Sequence, residues 1–488
     1  MTTTNLHIPL DTRVHLRRRA LRTGRTVSAT AVLVLAAGVA AAVLVNAGSG
    51  TAGLPVGAGL STRLGFTPAS SGELSRRQYL ALAEQGVAKT SIWWDRRLGW
   101  YRSYLGDHQR RPLGTIWDTV STFELLDEVA IARPSSGNRA AVESFGDYYE
   151  HYWNPNLEPA PGYAPYPGER GEHQTTWYDD AGWLGLAFLD ADRATGTTRY
   201  LSDAERAMSF IEAGGWDARQ SGGMWWDTQH PWRSGEALAA DSDLAARLYQ
   251  ATRQPAYLRS ADTWIGWANE HLRQSNGVYV RTSTIPYGSA TYTGSGLPQA
   301  SPAARQNVTL PPGCPAAKAA RRCITRLCRT KKQLCHGRLS FQGPPNPARG
   351  HSAKRTFVPM PNDGEGAMLS AMVTLYQATH HRSWLAEAER FAPNIIKWLE
   401  PFDDGSQYDG IMLRGFVTLY AQDHNPRWYR FVTSMASVII TTARTAPGVY
   451  LKPWGGGSKV PGAVPGMLRT DASSLMVFAD LATVKAPR

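Results

Sequence analysis

The stretch FLDADRATGTTRYLSDAE, residues 188–205, closes one apolar helical pattern, turns through a few polar residues and opens another at Tyr200. The same cadence returns as RLYQATRQPAYLRSAD (247–262), TLYQATHHRSWLAEAE (374–389) and, degraded, TLYAQDHNPRWYRFVT (418–433). The anchors Tyr200, Tyr257, Trp384 and Trp428 are spaced by 57, 127 and 44 residues. The middle gap falls to 55 once a 72-residue basic segment, 284–355, is set aside as an insertion. A period of this size marks a repeat architecture, here of helical hairpins. One helix set begins near Trp117, Asp180, Ala240, Gly364, Ile411 and Asp471. The other covers about 72–92, 138–153, 199–213, 256–272, 383–399 and 427–444. Twelve alternating helices predict an all-α (α/α)6 toroid, one set lining the centre and the other forming the wall. Hairpins hide their apolar faces only by stacking, and ring closure removes both exposed ends. An open solenoid is the structural alternative.

The 488 residues carry 52 Lys+Arg against 40 Asp+Glu, a formal charge of +12, with 42% hydrophobic residues. That apolar mass excludes whole-chain disorder. The charge invites a nucleic-acid reading, but it is not spread evenly. Residues 1–25 hold six arginines and one acid, and residues 284–355 hold twelve Lys/Arg and no acid. The remaining body is therefore mildly acidic, so no nucleic-acid partner is expected.

The arginines precede VSATAVLVLAAGVAAAVLV, residues 27–45. Such a pair reads as an export signal with its basic end in the cytoplasm. Nineteen residues suit a spanning helix, while Val45-Asn46-Ala47 also suits a cleavage site. Residues 1–47 are thus a signal peptide or a membrane anchor, 48–71 a Gly/Ser/Thr/Pro linker, and 72–488 the toroid, placed outside the cytoplasm. Cys314, Cys323, Cys328 and Cys335 all lie in the insertion. After export they read as two disulfides of open pairing, with a zinc site as the alternative. The insertion itself reads either as a solvated loop or as an arm gripping anionic polymers or lipid headgroups.

In a toroid the inner helices run parallel and their N-termini share one rim. Acids recur there: Asp118, Asp179, Asp180, Glu236, Asp241, Asp363, Glu365, Asp409 and Asp471. Capping accounts for such residues one at a time. Asp179-Asp180, in QTTWYDDAGWLGLAFLD, is different: adjacent carboxylates raise each other's proton affinity, so one stays protonated beside an ionised partner. Glycoside hydrolysis uses that division. The chain's 17 tryptophans add a second line, because indole rings pack on the C–H faces of sugars. Trp117, Trp177, Trp183, Trp225, Trp226, Trp232 and Trp454 flank rim segments, as does Tyr178. Trp264, Trp267 and Trp398 fall on outer-helix patterns and read as core.

WYDDAGWLGLAFLDA, WDARQSGGMWWDTQ (216–229), LAARLYQATRQPAYLRSAD and YDGIMLRGFVTLY (408–420) together resemble family 76 of the glycoside hydrolases, the (α/α)6 endo-α-1,6-mannanases and mannan-transferring enzymes. The resemblance covers about 90–480, the insertion excepted. It implies Asp179 as nucleophile and Asp180 as general acid/base of a retaining mechanism. It places Trp225, Trp226 and Gln229 beside the sugar and matches Arg414 to the family's late arginine. Asp363-Gly364-Glu365-Gly366 and Arg233-Ser234-Gly235-Glu236 depart from the family pattern, which puts the subsite chemistry in question. The expectation is a monomeric hydrolase of α-mannan that needs no metal or other cofactor, exported or tethered to the membrane. A transglycosidase and a non-catalytic glycan-binding toroid are the alternatives.

Overall fold

The computed structural model describes residues 74–106, 113–218, 222–282, 359–399, 406–445, 448–454 and 466–488. The apolar run 27–45, the linker and the four cysteines lie outside the described residues. Among the described residues no helix is long and apolar enough to cross a membrane.

Among the described residues twelve α-helices alternate between two layers. The outer ones are α1 (Arg76–Lys89), α3 (Ser136–Tyr148), α5 (Arg199–Gly214), α7 (Pro255–His271), α9 (Arg382–Trp398) and α11 (Pro426–Val438), the last continued by a π-turn at Ile439–Ala443. The inner ones are α2 (Ile116–Ala132), α4 (Tyr178–Thr195), α6 (Gly235–Thr252), α8 (Asn362–Thr379), α10 (Ser406–Asp423) and α12 (Leu468–Thr483). Residue patterning separates the layers. Inner helices are buried on nearly every side, polar residues included, whereas outer helices bury a single stripe such as Tyr200, Ala204, Ala207, Met208 and Ile211 of α5. Outer helix starts are set locally, by Ser75 and Ser135 as N-caps and by Pro255 and Pro426 in the first turn.

Inner helices pack in the order α2–α4–α6–α8–α10–α12, and α12 packs back on α2, so the ring closes. Closure excludes the open solenoid. Each outer helix lies on the inner helix it is paired with in sequence, except α1, which packs mainly on α12. Glycine permits the closest crossing: a Cβ on Gly366 of α8 would lie 2.4 Å from Met412 Cα of α10, and one on Gly415 would lie 2.5 Å from the Gly366 carbonyl oxygen.

Turns of two or three residues join each inner helix to the next outer one, several through a left-handed residue such as Gly196, Arg253 or His380. The links from outer to inner helix are longer, and the first two hold the antiparallel ribbons β1/β2 (Trp94–Asp95 with Trp100–Tyr101) and β3/β4 (Trp153–Asn154 with Gly162–Tyr163). One end of the ring is therefore plain and the other, at the inner N-termini, is elaborated. The described chain leaves that end at Thr282, bridged to Ser234, and re-enters at Pro359, bridged to Val280.

One outer residue departs from expectation. Trp264 and Trp267 are buried, but Trp398, the last residue of α9, is 50% exposed. The α8–α10 contact gives a first prediction. Gly366→Ala should lower the unfolding free energy by about 2–3 kcal/mol, read from urea denaturation, because the obstructing atoms are backbone and cannot swing aside.

Candidate active site

The second and third residues of the inner helices converge on the elaborated end: Trp117 and Asp118 of α2, Asp179 and Asp180 of α4, Glu236 of α6, Asp363 of α8, Tyr408 of α10 and Arg469 of α12. Asp179 and Asp180 are 7% and 8% exposed, at the open edge of a buried cluster. No side chain caps α4 at Trp177, and Asp179 Oδ1 instead accepts the Asp180 N–H at 3.1 Å. Asp179 Oδ2 accepts the Trp226 indole N–H at 3.3 Å.

Burial pushes Asp179 well above the usual carboxylate range, with Asp180 and Glu236 adding to it and its two donors opposing. Burial also raises Asp180, to about 7; Asp118 and Glu236 reinforce the rise and Arg469 opposes it. Adjacent buried carboxyls cannot both ionise cheaply, so the pair shares a proton near neutrality. The two N–H donors on Asp179 oppose its rise, as Arg469 opposes that of Asp180.

Asp118 does two jobs. With Thr115 it forms the capping box of α2, Thr115 N–H to Asp118 Oδ2 at 3.0 Å and Asp118 N–H to Thr115 Oγ1 at 3.1 Å. It also receives Ser103 Oγ at 2.7 Å and pairs with Arg469 at 3.2 Å. Arg469 stands 5.4 Å from the Trp117 ring centroid. Opposite, Arg281 pairs with Glu236 at 3.2 Å.

The aromatic residues sort by exposure. Trp117, Trp177, Trp226 and Trp232 keep part of their surface open, and Trp226 stacks on Trp232 with centroids 4.1 Å apart. Trp183, Trp225 and Trp454 are at most 3% exposed. Tyr178 is buried against Phe210, so its contribution is to seat α4. Gln229 is exposed and lines a separate cavity, together with the edge of Trp225.

Two further residues lie elsewhere. Glu365 accepts the Tyr279 N–H at 2.8 Å and so pins the segment that carries Arg281. Arg414 pairs with Glu124 at 3.0 Å, Glu128 at 2.8 Å and Asp190. Asp190 is ten residues, about 15 Å of helix, below Asp180. Burial alone would raise Asp190, but Arg247 and Arg414 hold it below the ordinary carboxylate range. Asp409 and Asp471 serve packing: the first accepts the Asn362 amide at 2.7 Å, the second the Tyr450 N–H at 2.6 Å.

Sequence reasoning missed Arg281, Tyr408, Arg469 and Asp227. Asp227 is buried, accepts the Gln229 N–H at 2.7 Å, and is raised by burial to about 6. For Arg469 and Tyr408 the available signal was their register, the same second or third position that picks out Asp179 and Asp180. Arg281 and Asp227 lie on loops and offered none. Among the described residues no His, Cys, Asp and Glu group is placed to hold a metal ion.

A closed helical ring with a carboxyl pair at its N-terminal rim is a form shared with glycosidases. Residues 159–288 match the model of glycosyl hydrolase family 76, so the chain resembles that family across the aspartate pair and the double tryptophan. A comparison with curated proteins gives no match. Among solved structures the chain is similar to a family 76 α-mannanase of Bacteroides thetaiotaomicron, at 18% identity and TM-score 0.61, covering 83% of this chain and 95% of that one. It is also similar to an inactive α-1,6-mannanase variant of Salegentibacter sp. HEL1_6, in which two consecutive aspartates are replaced by asparagine, in complex with α-1,6-mannotriose. That match has 15% identity and TM-score 0.57, over 83% and 99% of the chains. A sugar epimerase from a ruminal bacterium shares the fold at 9% identity and TM-score 0.53, over 82% and 98%. At these identities the structural likeness concerns the fold.

Two predictions follow from the shifted carboxyls. Asp180 keeps its proton to about pH 7 when folded but loses it near 3.8 when unfolded. Between those values the folded state binds more protons, so this group's contribution to stability falls as pH rises. Asp180→Asn should therefore melt above the parent at pH 8, with the gap closing toward pH 4 in differential scanning calorimetry. Second, Glu236→Gln removes a negative neighbour. The alkaline limb of kcat/KM against pH should move to lower pH, a shift that a pH-rate profile would detect.

Proposed function

We propose that the protein is a glycoside hydrolase that cleaves α-1,6-linked mannan with retention of anomeric configuration. The observation that carries the reading is the Asp179–Asp180 pair, buried at the rim, with two N–H donors on the first carboxyl and the second raised to about 7. Asp179 attacks the anomeric carbon as its carboxylate. Asp180 gives its proton to the departing glycosidic oxygen, and the C–O bond breaks as the Asp179 ester forms. Asp180, now ionised, takes a proton from water, which attacks the same carbon and frees Asp179. Trp226 orients the nucleophile, and the open faces of Trp117, Trp177 and Trp232 offer surfaces for pyranose rings.

The family model at 159–288 supports the hydrolase class. The α-1,6-mannotriose bound by the inactive Salegentibacter variant supports the linkage. The arginines at 13–25 and the apolar run 27–45 support action outside the cytoplasm, on an envelope or cell-wall mannan.

Asp179→Asn and Asp180→Asn should each lower kcat on α-1,6-mannan by about 100-fold or more. The sugar first released by the parent should carry the α configuration, seen by proton NMR before mutarotation. Undiminished release by either variant overturns the assignment, and a β product overturns retention.

A further inference from the structure

Behind the double-tryptophan hairpin lies a cavity of about 530 Å³, within the range of ligand pockets. Its lining includes Glu158, His173, Trp216, Asp217, Gln229 and His230. It is a different space from the aspartate cleft, and the backbone shows why. Residues 224–226 run extended: the Ser234 N–H donates to Met224 O at 2.8 Å and the Trp226 N–H to Trp232 O at 3.1 Å. Neighbouring side chains in such a segment point to opposite faces. Trp226 reaches Asp179 on one face, and Trp225 turns to the cavity on the other.

The walls are held in place. Trp216 is half-buried and braced by Trp264 and Trp267, with centroids 6.2 and 6.1 Å away. His230 stacks on Trp225 at 4.9 Å, and its ring hydrogen-bonds the Gly214 carbonyl. Asp217 is fixed by Arg233 at 2.8 Å. Among the described residues the acidic groups lining it are the Glu158 and Asp217 carboxylates, which disfavour a phosphate or other anion. The polar groups disfavour a purely apolar guest. The indoles of Trp216 and Trp225, set among amide, imidazole and carboxylate groups, fit a neutral pyranose, which offers a C–H face and a rim of hydroxyls.

We propose that this cavity is a lateral glycan subsite, which takes a neutral hexopyranose unit of the same polysaccharide whose main chain crosses Asp179 and Asp180. The inference rests on the hydrolase reading for its choice of polymer. Gln229, which the sequence resemblance set beside the sugar, then meets a different unit from the one being cleaved.

Two measurements test it. The first titrates α-1,6-mannotriose into the Asp179→Asn/Asp180→Asn protein by calorimetry, with and without Trp216→Ala. Two binding events falling to one are expected, and the same stoichiometry in both overturns the subsite. The second compares kcat/KM on mannan with kcat/KM on an aryl α-mannoside too short to reach the cavity. That ratio should fall about tenfold in Trp216→Ala and in Ala213→Trp, which fills the cavity from an exposed position on the last turn of α5. An unchanged ratio in the filled variant overturns the proposal even if Trp216→Ala fails to fold. If the parent turns over no mannan, the hydrolase reading fails, while the mannotriose stoichiometry still decides the cavity.

Discussion

Closure of the inner ring is the constraint from which the rest of the molecule follows. Once α12 lies against α2, each inner helix has an inner neighbour on both flanks and an outer helix behind it. A polar side chain on these helices must then find its partner inside the protein. Arg414 shows the solution: one guanidinium on α10 reaches Glu124 and Glu128 of α2 and Asp190 of α4, tying three helices across the axis. Where side chains would hold backbones apart, glycine replaces them, as Gly366 and Gly415 do between α8 and α10.

The same geometry builds the site. Parallel inner helices bring six N-termini to one end, where first-turn residues from every helix meet. Helix dipoles there favour negative charge, yet burial and mutual repulsion work against it, and for Asp180 the balance leaves a group raised to about 7. An isolated helix with two aspartates in its first turn would hold them as ordinary solvated carboxylates. The ring supplies the desolvation and the neighbours Asp118 and Glu236. The functional chemistry is thus a by-product of the packing that makes the fold, stored as electrostatic strain that an amide at Asp180 would relieve.

Much of this was legible in the residues. The twelve helices follow from the hairpin cadence, because inner and outer helices differ in how many faces they bury and the sequence records that difference. The Asp179–Asp180 pair stood out by adjacency and by its tryptophan setting. Partners contributed from far along the chain were not legible. Arg469 reaches Asp118 only because the ring closes, and Arg281 reaches Glu236 only through the backbone bridge of Thr282 to Ser234. Nor did residue type separate the open tryptophans from the buried ones: Trp225 and Trp226 are neighbours in sequence, and only the pleat of the hairpin sends them to opposite faces.

Arg414 and Glu365 carry the same lesson in another form. Both have the chemistry of a ligand-binding residue, and both are occupied by the protein itself, one in the axial clasp and one under the Tyr279 backbone. The sequence by itself determined the twelve described helices, the layer to which each belongs, and the end of the ring where the acids gather, because periodicity and first-turn position are local properties. The tertiary structure alone decided which acids meet, which are neutralised and which tryptophans stay open. Those outcomes depend on distance and burial across segments that are distant in sequence, and no local pattern encodes them.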